Sequence, residues 1–229
     1  CDEWVEPNKG SWVGPVSIDW LTAANWEANF IPDATTDVYI TGGYTFMPTL
    51  TTTHAIRDLN LSAPGSPPIL TINGGTLQVG RTITRTGGSI VASNGTMEMN
   101  GTAAQTIPAS LFQSNALKNL IISNTNNVTG VTLGGALDIY GSVTFSAAGL
   151  RLTTGNNLTF KSNASGTAWL GNVTGKTITG NATVERYIPT GTSHGKSWQL
   201  LAVPVSGTQT INQAWQEGNS PLGNNKPGF

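Results

Sequence analysis

The sequence predicts a parallel β-helix, in which very short strands wind into stacked coils. Within residues 69 to 184 apolar residues stand two apart in short pieces: Leu70 and Ile72, Leu77 and Val79, Met97 and Met99. That is the period of a strand with one buried face. The pieces themselves recur, beginning at Leu70, Leu77, Ile83, Ile90 and Met97 in steps of seven, six, seven and seven. Leu137, Val143, Leu150 and Leu158 repeat the rhythm in steps of six, seven and eight. Gly-Gly, Asn-Gly, Thr-Gly and Asn-Asn pairs separate the pieces, and these residues tolerate positive φ at tight corners.

Hairpin strands usually pair over about five or six residues, which a corner every six or seven residues does not allow. Three strands per turn instead close a coil of roughly 20 residues, stacked on the next at about 4.7–4.9 Å. About five or six regular coils are expected, with irregular ones at both ends. A β-sandwich of short antiparallel strands is the alternative.

Composition agrees with an all-β solenoid. Only 10% of residues are charged and the net charge is −1, whereas Thr, Gly and Asn are abundant throughout. Solvent is met by hydroxyls and amides, and nothing in the charge balance favours nucleic acid or an anionic membrane. No apolar run is long enough to span a bilayer as a helix. The 38% apolar content is patterned, which argues against disorder.

In chain order, Cys1 is the single cysteine, so there is no internal disulfide framework. It reads either as a lipidated first residue or as an arbitrary starting point; Trp4 and Val5 follow closely for a flexible tether and favour the second. Residues 1–36 form an aromatic N-terminal cap, with four of the seven tryptophans (Trp4, Trp12, Trp20 and Trp26) placed ahead of Glu27. Such density suits either a sugar-stacking platform or a plug over the apolar end of a solenoid. The interleaved turn residues favour the plug, built on Trp12, Trp20, Asn25 and Trp26, with Asp19 and Asn25 making Asx turns.

Residues 37–184 form the solenoid. Strands are expected over DVYI and AIRDLNLS, and the run Ala63-Pro64-Gly65-Ser66-Pro67-Pro68 interrupts pairing before the regular coils. The stretch ASLFQSNALKNL, 109–120, breaks the rhythm and reads as a helical bulge or a loop leaving the stack, with Phe112 packing back. Eight Asn-x-Ser/Thr triplets occur, at Asn60, Asn94, Asn100, Asn127, Asn157, Asn163, Asn172 and Asn181. They read as polar residues stacked at coil corners. Residues 185–229 carry more charge and the strong strand SWQLLAVPV, and open a further region. Trp198, Leu200, Leu201 and Val203 are its candidate partner edge.

Several segments resemble modules of very large secreted surface proteins of the Bacteroidetes. The opening Trp12-x-Gly14-x-x-Ser17-x-Asp19-Trp20 followed by Asn25-Trp26 is similar, as are Ile31-Pro32-Asp33 and Asp37-Val38-Tyr39-Ile40. Gln105-Thr106-Ile107, Val184-Glu185-Arg186-Tyr187-Ile188-Pro189 and Ile211-Asn212-Gln213-Ala214-Trp215-Gln216-Glu217-Gly218 extend the likeness over nearly the whole chain. The resemblance implies type IX export of a parent protein, an extracellular location at the cell surface, and an adhesive or filament-forming role. It brings no catalytic motif.

Catalysis has little material. Between positions 60 and 184 the only acids are Glu98 and Asp138. They are separated by about two coils of the expected length, which allows them to share a face. A polysaccharide hydrolase or lyase would need clustered carboxylates. With His54 and His194 as the only histidines, no zinc site or Cys-His pair can be built. The expectation is a non-catalytic structural or adhesive module without cofactor or metal. Its partners would be the rest of the parent protein, further copies end to end, or surface polysaccharide. A carbohydrate-binding module using exposed tryptophans, Trp169 or Trp198, is the alternative.

Overall fold

The computed structural model describes residues 10–187, and the expected partner edge at Trp198, Leu200, Leu201 and Val203 lies outside them. The described chain is a parallel β-solenoid of about six turns whose only helical elements are two 3-10 turns, Ala23–Asn25 and Glu27–Asn29. One sheet runs through the stack by way of Thr49–Leu50, Ile69–Val79, Ser89–Met99, Phe112–Ile122, Leu137–Phe145, Leu158–Phe160 and Ala182–Val184. A further side is built from Asp37–Thr41, Asp58–Ser62 and Ile83–Arg85, and then from Gln105–Ile107, Val131–Leu133, Arg151–Thr153 and Thr177–Thr179.

The register converts the sequence period into columns. Leu77, Met97, Leu120, Val143 and Leu170 are successive partners, one per coil. Ala92, Leu117, Ile139, Phe160 and Val184 form another column. The first four members of each column are buried, and they belong to one apolar core that begins at Trp12. Because the pairing is parallel, like stands on like: an apolar residue in one rung needs an apolar partner in the next. Leu70 pairs with Ile90 but Ser142 with Trp169, a longer circuit, so coil length varies while the columns are kept.

The corners differ from the expected breaks. Ile69–Val79 and Ser89–Met99 are each one unbroken strand of 11 residues that bends in its middle, at Asn73-Gly74-Gly75 and Ser93-Asn94-Gly95. The register shifts at those bends, so the corner backbone still pairs with the neighbouring rung. Gly95 shows why glycine is needed there. A Cβ at that position would lie 2.4 Å from the carbonyl oxygen of Ile72 and 2.6 Å from its Cβ. The expected single strand AIRDLNLS is divided at Arg57 into Thr53–Ile56 and Asp58–Ser62.

Residues 109–120 correct an expectation. They neither form a helical bulge nor leave the stack: Phe112–Ile122 is a strand of 11 residues paired with Ser89–Met99 and Leu137–Phe145, and Phe112 is buried. Ile90 pairs with Phe112 but Ala92 with Leu117, so the surplus residues are taken up as a bulge with Ser114 and Asn115 at positive φ. Local strand insertion has displaced the rhythm without breaking the coil.

Candidate functional site

Two regions depart from the repeating coil, one at each end of the described chain. At the N-terminal end residues 10–20 lie along the first coil. Trp12 donates its backbone N–H to Tyr39 O at 2.9 Å, Trp20 to Thr49 O at 3.1 Å, and Thr49 to Ile18 O at 2.7 Å. Trp12, Trp20 and Trp26 are fully buried and stack edge to face, with ring centroids 4.9 Å apart for Trp12–Trp26 and 4.7 Å for Trp20–Trp26. Indole N–H groups need acceptors when buried. Trp12 Nε1 donates to Phe46 O at 2.8 Å and Trp26 Nε1 to Trp20 O at 2.7 Å, whereas Trp20 Nε1 has no acceptor among the described residues.

Asn25 fixes the connecting loop. Its Oδ1 accepts from Val16 N at 3.2 Å and Ser17 N at 3.0 Å, while its Nδ2 donates to Ser17 Oγ at 3.0 Å and Asp19 O at 2.9 Å. Asp19 makes the expected Asx turn, accepting from Leu21 N at 3.1 Å. Asn25 does not; it reaches back along the loop as far as Val16, because its side chain is buried and the loop carries the unmet donors.

The charged groups are tied between rungs. Arg57 grips Asp37 with two hydrogen bonds, 2.5 and 2.7 Å, and the guanidinium holds the Asp37 carboxyl below the usual range. Asp58 accepts from both Thr82 N and Thr82 Oγ1, at 2.6 and 2.8 Å. Glu98 accepts from Gln78 Nε2 at 2.7 Å and Ser123 Oγ at 2.6 Å, one rung on either side. Asp138 does not join it. Glu98 pairs with Ile121 and Asp138 with Ala116, so the two acids occupy different columns as well as different coils. The coil arithmetic fails because the Asn73-type corner separates them along the strand. Among the described residues no three His, Cys, Asp or Glu side chains gather in a metal-binding group.

The second region is the corner of the coil that begins at Leu158. Ile139 pairs with Phe160 and Ser142 with Trp169, so two residues on one rung face eight on the next. The surplus forms a small antiparallel hairpin, Ser162–Asn163 with Gly166–Thr167, closed by Ala168 N donating to Lys161 O at 2.8 Å. The hydroxyls of Ser162 and Thr167 are hydrogen bonded at 2.6 Å. Lys161 is ion-paired with Glu185, which it holds below the usual carboxylate range. Trp169 stands at the foot of this hairpin and is 57% exposed, and Tyr140, two residues before its register partner Ser142, is 40% exposed. The run SNASGT between Phe160 and Trp169 is the available signal for the excursion, being longer than the other corners, while Tyr140 carries no signal of its own.

No protein-family model matches the chain, and neither the curated proteins nor the solved structures compared with it contain a significant match.

Proposed function

We propose that this chain is a non-catalytic extracellular module: a stiff spacer in a large bacterial surface protein or fibre, working in series with its neighbours. The supporting observation is how the acids are used. Asp37, Asp58, Glu98 and Glu185 each bond a residue of an adjoining rung, and Asp138 stands apart from Glu98. Carboxylates committed to holding coils together are not poised to flank a scissile bond. Surface placement rests on the resemblance of Trp12–Trp26, Asp37–Ile40 and Val184–Pro189 to Bacteroidetes surface modules.

A replacement experiment tests this reading. Residues 10–187 in the parent protein are exchanged for an unrelated solenoid of equal length, and surface display and cell attachment are measured. A spacer predicts that both survive the exchange but are impaired when the segment is deleted outright. If the unrelated solenoid behaves like the deletion, the segment does more than span distance and the proposal fails.

A further inference from the structure

We propose that the N-terminal face of the solenoid is closed to strand addition, so that no second copy of this chain extends its sheets there. A strand at the end of a stack presents a row of unpaired N–H and C=O groups and invites another strand. The first rung has two such edges. Ser11 pairs with Tyr39 and Asp19 with Thr49, both in parallel, which turns the N–H and C=O groups of Ser11 and Asp19 away from the stack.

Residues 17–27 take up groups on both edges. Glu27 N donates to Ser11 O at 2.9 Å, and Asn25 O accepts from Val13 N at 2.9 Å and Gly14 N at 3.1 Å. Asp19 N donates to Ser17 Oγ at 3.3 Å, while Asp19 O accepts from Asn25 Nδ2 at 2.9 Å and Thr22 N at 3.3 Å. Between the two edges, Asn25 Oδ1 holds the N–H groups of Val16 and Ser17.

A covering segment can itself offer a fresh edge, but this one does not. Trp26 pairs antiparallel with Trp12, and its own N–H and C=O are engaged in turns. Trp26 N donates to Ala23 O at 3.0 Å, and Trp26 O accepts from Asn29 N at 3.1 Å. Positive φ at Ala28 and Asn29 then ends the extended run. Pro15 has no N–H to give, and the charged residues within 10–29, Asp19 and Glu27, are both negative. Two copies brought face to face on this rim repel each other. The closed face bears on the spacer reading without resting on it: a segment that fails the replacement experiment can still have a closed face, and an open face leaves a spacer possible.

The whole chain tests the proposal. Benzoylphenylalanine in place of Val16, which is 57% exposed, should give no photo-cross-link to a second copy. Asn25→Ala combined with Glu27→Pro removes the bonds to Val16 N, Ser17 N, Asp19 O and Ser11 O and leaves all three tryptophans in place. In sedimentation that variant should self-associate at least about tenfold more tightly than the parent. Adding Ile18→Glu, a further negative charge on the opened edge, should reverse the association. Hydrogen exchange at Val16 and Ser17 shows that the edge has opened. The proposal is overturned if the parent cross-links between copies from position 16, or if the variant with freely exchanging Val16 and Ser17 amides sediments as the parent does. It is also overturned if the new association survives Ile18→Glu, which would place the contact elsewhere.

Discussion

Asn94 Nδ2 donates to Asn73 Oδ1 at 2.8 Å, joining the same corner of two successive coils. Lys118 Nζ donates to Asn94 Oδ1 one coil further on, also at 2.8 Å. The corner thus carries a ladder of side chains beside the backbone ladder. Each bond is solvent-exposed and expected to contribute about 0.5–1 kcal/mol. In urea unfolding, Asn73→Ala should lower stability by about that much and Asn94→Ala, which loses both bonds, by about twice as much, and their double-mutant cycle should show a coupling of about 0.5 kcal/mol. Strict additivity would show that the two amides do not act together.

The tryptophans at the N-terminal end separate the value of a ring from that of its N–H. Trp26→Phe removes the hydrogen bond to Trp20 O, whereas Trp20→Phe removes a donor with no acceptor among the described residues. Leaving a buried partner unsatisfied costs about 1–3 kcal/mol. Trp26→Phe should therefore lower the melting temperature more than Trp20→Phe does, while Trp20→Ala should cost about 3–5 kcal/mol. Equal effects of the two phenylalanine variants would contradict this assignment.

The columns and the places of the corners are legible in the sequence, but the pairing through the corners is not. Leu70, Leu77, Ile90 and Met97 are all buried, as their spacing requires, because parallel stacking forces a common inward face. What no periodicity reveals is that Asn73-Gly74-Gly75 keeps pairing through its bend, making one strand of two pieces. Phe112–Ile122 escapes the pattern for a related reason: the bulge at Ser114 and Asn115 shifts its apolar residues out of phase. The aromatic opening stands out by density alone, but the pairing of Trp169 with Ser142 depends on register, which the sequence does not display.

Two glycines at one kind of corner should respond differently to alanine. Gly74 has φ +81° and open space around a would-be Cβ, so Gly74→Ala bears only backbone strain, about 1–2 kcal/mol. Gly95 has no room, its Cβ falling on Ile72 of the preceding rung. Gly95→Ala should be the more destabilising of the two in thermal unfolding. The reverse order would mean that the rungs can separate locally to admit a methyl group.

Acid should weaken the first coils. Arg57 depresses the Asp37 carboxyl, and Thr35, by side-chain and backbone hydrogen bonds, depresses that of Asp33. A depressed folded value means that the unfolded chain takes up the proton first. The stabilisation is therefore complete above the ordinary carboxyl pKa of about 4 and is lost as pH falls through the lower folded values. The melting temperature should stay level from about pH 8 to 5 and decline below about pH 4. Arg57→Met should lower the plateau and flatten the acid limb; an acid limb of undiminished slope in that variant would exclude this pair as its source.

Parallel pairing also settles how the described coils would yield to a pull. The strands lie across the stack and their hydrogen bonds run along it, so tension between the first rung and the last opens one row of bonds at a time, as a zipper does. Each coil that peels away releases one circuit of chain, the length that separates Leu70 from Ile90 or Ser142 from Trp169. Fully extended, such a circuit measures on the order of 70–90 Å. Its neighbour stays closed, because each coil is held chiefly by the coil next to it. Such a molecule lengthens stepwise under load and dissipates work at every step, and re-stacking on the intact remainder restores its length when the load is removed.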